Sequence, residues 1–144
     1  MREILFRAKR IDNGEWVEGN FYESKLSGCY ILHPRIRVRK KDGVIIGDRF
    51  DVYDIDPETL SQYTGLKDKN NNRIWENDIV GIENSMHEGI GSIEFYGGMW
   101  YVDGEPSNSL YDIVEYDDAE IEVIGNIFDN LELLKKVNQY RMEG

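Results

Sequence analysis

Few side chains in this sequence could do covalent chemistry, and their spacing argues against it. Cys29 and His33 stand four positions apart. A thiol activated by an imidazole makes a nucleophile only when a third group orients the base, and no such context surrounds this pair. His87 lies 54 positions beyond His33. One cysteine and two histidines fall short of a zinc site, which takes four protein ligands, or three and a water. Glu115-Tyr116-Asp117-Asp118-Ala119-Glu120 is the densest acidic stretch. It contains no Asp-x-Asp-x-Asp-Gly calcium loop, and a divalent cation would need oxygen ligands from elsewhere, so it reads as a solvated loop. Gly89-x-Gly91 leads into a strand pattern rather than a helix, which makes it a turn and not a phosphate cradle. These residues predict a protein that is not an enzyme and holds no cofactor and no metal.

The residues with the best spacing for binding are cationic. Arg35, Arg37 and Arg39 alternate with Ile36 and Val38, and Lys40 and Lys41 follow. Along a strand, residues of one parity lie about 7 Å apart on one face, so this segment predicts a basic ridge. The first reading is a solvated face that blunts an edge strand. The alternative is a contact with phosphates, with Tyr30 or Tyr53 available to stack on single-stranded nucleic acid, or with the acidic half of another subunit. Residues 1–49 hold 11 Lys and Arg against 7 Asp and Glu, and residues 50–144 hold 6 against 21, which together give the net charge of −11. Such a split favours attraction between the halves, within or between subunits, over nucleic acid, which so acidic a chain repels; a homo-oligomer is expected.

The elements that position these residues are short strands and turns. With 144 residues the chain can bury a core, and three Trp, nine Tyr and five Phe argue against disorder. Ile4, Phe6 and Ala8 alternate with Leu5, Arg7 and Lys9, the period of a half-buried strand. Asp12-Asn13-Gly14 is a turn signal, and Glu15 to Tyr22 returns, with Val17 and Phe21 on one face. Strands are expected at Cys29–Lys40, interrupted or edged by Pro34, and at Val44–Ile46, Phe50–Ile55, Ile79–Ile82, Gly91–Tyr96, Met99–Val102 and Ile121–Ile127. Gly97-Gly98 is a hairpin turn. Asp56 before Pro57 predicts a capped helix of one or two turns, stopped by Gly65. Asn130 is expected to cap a terminal helix carrying Leu131, Leu134 and Val137. Ile4-Leu5-Phe6 is broken by Arg7, Lys9 and Arg10, so no signal peptide is read. No apolar run reaches membrane-spanning length, and the expected location is the cytoplasm of a host cell.

The most patterned stretch is Asp56 to Val80, and it resembles the YopX family, small phage and prophage proteins with no established activity. The family pattern is a Thr, then Gln-Tyr-Thr-Gly-Leu-x-Asp, Lys-Asn-Gly and Ile-Tyr-Glu-Gly-Asp-Ile-Val. It is met here by Thr59, Gln62, Tyr63, Thr64, Gly65, Leu66, Asp68, Lys69, Asn70, Ile74, Glu76, Asp78, Ile79 and Val80. A later Val-Ile-Gly-Asn-Ile is met by Val123 to Ile127, including Gly125 and Asn126. Asn71 and Asn77 replace the family's glycines, and Trp75 replaces its Tyr. Asn is the non-glycine residue that best tolerates positive φ, so the pattern reads as a backbone requirement rather than a reactive set.

The resemblance implies a small SH3-like barrel. The expected fold is mainly β: an N-terminal β-hairpin region with one short central helix (1–63), a five-stranded SH3-like barrel (64–130) and a C-terminal helix (131–144), packed as one compact unit. The expected function is a non-catalytic protein-binding or assembly module acting on an unidentified phage or host protein. The alternative is single-strand nucleic-acid binding through residues 35–41.

Overall fold

The computed structural model describes residues 2–34, 39–46, 50–85, 88–104, 109–115 and 119–135. The protein is mainly β, and it divides into two compact units, Met1–Gln62 and Tyr63–Gly144. The strands are β1 (Phe6–Lys9), β2 (Trp16–Ser24), β3 (Gly28–Pro34), β4 (Arg39–Lys41), β5 (Val44–Ile46), β6 (Phe50–Asp54), β7 (Ser61–Lys67), β8 (Arg73–Trp75), β9 (Asp78–Glu83), β10 (Glu88–Tyr96), β11 (Met99–Val102) and β12 (Glu120–Asn126). A 3-10 turn, Pro57–Thr59, precedes β7, and one α-helix, α1 (Leu110–Glu115), precedes β12. No helix among the described residues is long and apolar enough to cross a membrane.

In the first unit β1, β2, β3 and β6 pair antiparallel in that order. The alternation around Ala8 and the turn at Asn13-Gly14 make the first hairpin, with Gly14 at φ +71° and the Asn13 side chain accepting from the Glu15 N–H. The sheet then closes on itself. Arg10 bridges Ile55, the Ile11 N–H donates to the Asp54 carbonyl at 3.0 Å, and the Asp56 N–H donates to the Lys9 carbonyl at 2.9 Å. Gly19 permits the close crossing of β2 and β3, because a Cβ there would sit 2.2 Å from the Leu32 carbonyl oxygen. Ala8, Ile31 and Ile55 fill the interior, packed by Phe6, Val17, Phe21 and Leu60 among others.

Asp56 caps the 3-10 turn as expected, accepting from the Glu58 N–H at 3.0 Å. The helix ends after that single turn, because Ser61 to Lys67 extend as β7 and bury Ser61 and Tyr63 by alternation. Pro34 ends a strand rather than edging one: β3 is paired on both sides by β2 and β6. Arg39 and Lys40 of the expected 29–40 strand lie instead in β4, which pairs with β5 around Asp42 (φ +51°) and Gly43 (φ +78°), and residues 35–38 lie outside the described residues. Two consecutive positive φ values are those of a tight hairpin turn.

In the second unit β9 is central, between β10 and β12. It is buried along nearly its whole length, which is why it reads as a continuous apolar run. β10 is shared: Glu88 to Ser92 pair with β9, and Ile93 to Tyr96 pair with β11. The five-stranded barrel expected here is represented by four paired strands, in the order β11-β10-β9-β12, and by α1. Leu110 and Ile113 of α1, at helical spacing, join Ile74, Val80, Ile82, Ile93, Val102 and Ile121 in the core. α1 was not anticipated from the sequence. The Asn130 side chain does not cap forward; it turns back to accept from the Asn126 N–H at 3.2 Å. Residues 132–135 are helical, and the rest of the expected terminal helix lies outside the described residues.

Candidate binding surface

The residues of the patterned stretch are spent on holding turns. Thr59 is buried; its hydroxyl accepts from the Lys9 N–H at 2.9 Å and donates to the Asp56 carbonyl at 2.7 Å. Gln62 pairs opposite Phe6. Tyr63 is buried against Trp75, with ring centroids 5.5 Å apart, and the Arg73 guanidinium lies 5.4 Å from the Tyr63 ring. Gly65 takes φ +85°, and Leu66 packs on the second core. Glu76 is half-buried in the turn that Asp78 fixes, Asp78 being buried and accepting from the Trp75 N–H at 2.8 Å.

Asp68 does the most. One carboxylate oxygen accepts from the Asn70 and Asn72 N–H groups at 3.0 and 2.8 Å. The other accepts from the Val123 N–H at 3.0 Å, 55 residues away in sequence. Burial pushes its pKa up, but the N–H donors of Val123, Asn72 and Asn70 outweigh this and hold the carboxyl below its ordinary range. Asn70 donates to Glu122 through its side chain. At Gly125 a Cβ would lie 2.6 Å from the Asn130 side-chain oxygen. The Asn126 side chain accepts from the Phe128 and Asp129 N–H groups, each at 3.0 Å. Asn71 and Asn77 stand at φ +65° and +69°, the glycine-like geometry their substitution predicts.

The other candidates do not converge. Cys29 and His33 lie on one strand, about 13 Å apart at the rise of an extended chain. His33 faces the Glu18 carbonyl at 3.0 Å, and His87 lies outside the described residues. Among the described residues no three His, Cys, Asp or Glu side chains are grouped to hold a metal. Arg35 and Arg37 also lie outside the described residues. Arg39, Lys40 and Lys41 form β4, and the Lys41 side chain is exposed.

What the structure does bring together is a set of aromatic side chains at the tip of β10 and β11. Ile93 faces Val102 across the pair and Phe95 faces Trp100. Side chains alternate along a strand, so Phe95 and Trp100 continue the face on which Ile93 and Val102 are buried. The core stops and the apolar face does not. Phe95 is 55% exposed, Tyr96 78% and Met99 45%. Phe95 and Trp100 meet edge-to-face with centroids 4.9 Å apart, a favoured geometry for aromatic pairs. Tyr111 of α1, 49% exposed, completes a notch of about 230 Å³ with Thr64, Leu66, Met99, Trp100 and Ser109. The sequence carries a signal for it: Phe95-Tyr96-Gly97-Gly98-Met99-Trp100-Tyr101 crowds large apolar residues around a turn, where polar ones are usual.

These features define a small two-unit β protein with rigidly held turns and an exposed aromatic hairpin. The chain belongs to the YopX family, whose profile, described as YopX protein, matches residues 5–135. Among solved structures it is similar to the crystal structure of protein EF1440 from Enterococcus faecalis. The TM-score is 0.66 at 23% identity, over 93% of this chain and 99% of that chain. No curated protein matches the sequence.

Proposed function

We propose that the protein is a non-catalytic protein-binding module whose contact surface is the tip formed by β10, β11 and α1. The supporting observation is the contiguous exposure of Phe95, Tyr96, Met99 and Tyr111 around a packed Trp100. Clustered exposed aromatics and Met are enriched at protein interfaces, and aromatic anchors in desolvated pockets dominate binding energy. The unit that carries them holds 6 Lys and Arg against 17 Asp and Glu, and the first unit holds 11 against 11. The second unit therefore carries the whole net charge of −11, which opposes nucleic acid and favours a protein partner. The test is affinity capture with the intact chain and with a Phe95→Ser/Tyr96→Ser variant, followed by hydrogen exchange on the captured complex. The expected result is a partner lost in the variant, with protection of amides 94–101 in the complex. A partner captured equally by both proteins sinks this assignment.

A further inference from the structure

The tip has two chemically different faces, and the strand register fixes which residue lies on which. Glu94 stands opposite Tyr101 and Tyr96 opposite Met99. By the alternation of the pleat, Glu94, Tyr96, Met99 and Tyr101 share the face opposite to that of Phe95 and Trp100. Asp103 follows at the same parity as Tyr101, and its N–H donates to the Ser92 carbonyl at 2.8 Å, which keeps it beside β10. One face of the tip thus carries Glu94 and Asp103 among Tyr96, Met99 and Tyr101. The other face leads to the largely apolar notch of Leu66, Trp100 and Tyr111, whose rim Met99 reaches from the first face.

Among the described residues the two carboxylates have no counter-ion. No Lys or Arg among the described residues pairs with Glu94 or Asp103, whereas Lys69 bridges Glu120 and Glu122 at 3.3 and 3.7 Å on the same unit. Desolvation raises the Glu94 pKa, and the Asp103 charge adds to it, so the pair repel each other and gain from a shared cation. A guanidinium suits such a place, since it can donate N–H bonds to carboxylates and stack on a tyrosine face.

We propose that the tip takes an extended basic segment of another protein, with an Arg or Lys between Glu94 and Asp103 against Tyr96 and Tyr101, and a nearby large apolar side chain in the Trp100 notch. This deepens the binding-module reading and rests on it. The ligand follows from the charge of the unit: phosphate-rich polymers and anionic membranes are repelled by the same carboxylates that attract Arg and Lys.

The test uses fluorescently labelled twelve-residue Gly/Ser peptides carrying one Arg and one Phe at spacings of zero to three residues, with Arg→Glu and Phe→Ser controls. Anisotropy is read with the full chain and with Glu94→Gln/Asp103→Asn and Trp100→Ala. The Arg/Phe peptides are expected to bind best at one spacing. Affinity should fall about tenfold or more in the double variant, as for loss of one well-placed ion pair, fall further in Trp100→Ala, and weaken with salt. The double variant replaces exposed groups, and its melting curve serves as the folding control.

If the Arg→Glu peptides bind as well, or the double variant binds unchanged while Trp100→Ala does not, the cation site is overturned and the binding module stands. If no peptide binds at millimolar concentration, the basic-segment ligand is overturned, and capture of a partner that Phe95→Ser/Tyr96→Ser loses still decides the module by itself. Sedimentation of the same proteins covers a second copy: self-association abolished by Trp100→Ala overturns a foreign partner.

Discussion

The two units use acidic residues in opposite ways. In the first unit, Asp and Glu balance Lys and Arg one for one, and contacts such as Arg10 with Asp12, at 2.9 and 2.6 Å, lie at the surface. In the second unit acid exceeds base by 11. Two of its carboxylates, Asp68 and Asp78, are buried and fully engaged with backbone N–H groups, while most of the others are left on the surface. Self-repulsion among surface carboxylates opposes compactness, so the scaffold does not require them. The contrast separates acid that builds the fold from acid left at the surface, where the proposed partner would meet it.

The largest effect that tests this contrast is Asp68→Ala. It strips an acceptor from the N–H groups of Asn70, Asn72 and Val123, and a lost charge-assisted bond with orphaned donors costs about 3 kcal/mol. Chemical denaturation should show that loss, and Asp12→Ala in the first unit should show no measurable change, as exposed ion pairs contribute little. Equal losses would erase the distinction. The pH dependence gives an independent check. The folded pKa of Asp68 is depressed below its ordinary 3.8, so its contribution is fully present above that value and is lost as pH falls through the folded pKa. Stability of the intact chain should drop at that acidic end, and Asp68→Asn should flatten the drop.

Backbone geometry supplies the next effect. Asn77 holds φ +69°, donates from its N–H to the Ile93 carbonyl at 2.9 Å and accepts from the Ile127 N–H at 3.0 Å. Alanine there has no relief from the left-handed strain, which costs about 1 kcal/mol. Glycine carries no such strain. Asn77→Ala should therefore lower the melting midpoint and Asn77→Gly should leave it unchanged or raise it. Equal behaviour of the two would show that the asparagine side chain, and not the turn, is what matters at this position.

Much of the fold was legible in the residues. Asn13-Gly14, Gly97-Gly98 and the two positive-φ asparagines marked turns, and the alternation at Phe6–Ala8 and the run at Ile79–Ile82 marked strands. What was not legible depended on distance or on context. Nothing near Asp68 announces that its acceptor serves Val123, because the strand that brings them together is set by β9 pairing with β12. The expected helix of one or two turns, stopped by Gly65, follows from the cap at Asp56, which is correct for one turn. Alternating burial of Ser61 and Tyr63 then won over local helix propensity. The Leu110, Ile113 and Val114 spacing of α1 was present but short. The tip was only partly legible, for a different reason: parity places Phe95 and Trp100 on the core face, and only tertiary packing shows that the core ends at Trp100 and leaves Phe95 exposed.

The smallest predicted effect sharpens the contrast most directly. Glu94 has its pKa raised by desolvation and then by Asp103, the reverse of Asp68. A carboxyl raised in the folded state contributes stability that is present below its ordinary value of 4.5 and is lost as pH rises through the folded pKa. At neutral pH its charge therefore opposes folding, and Glu94→Gln should stabilise the protein slightly, by less than about 0.5 kcal/mol for so exposed a position. The gain should vanish near pH 3, where the carboxyl is protonated in both states. A charge placed where it costs stability, beside the exposed Tyr96 and the half-buried Tyr101, fits the proposed contact with a partner better than a role in the fold. If Glu94→Gln destabilises the protein at pH 7, Glu94 belongs with Asp68 as part of the scaffold, and the division between structural and available acid fails at the residue where it matters for binding.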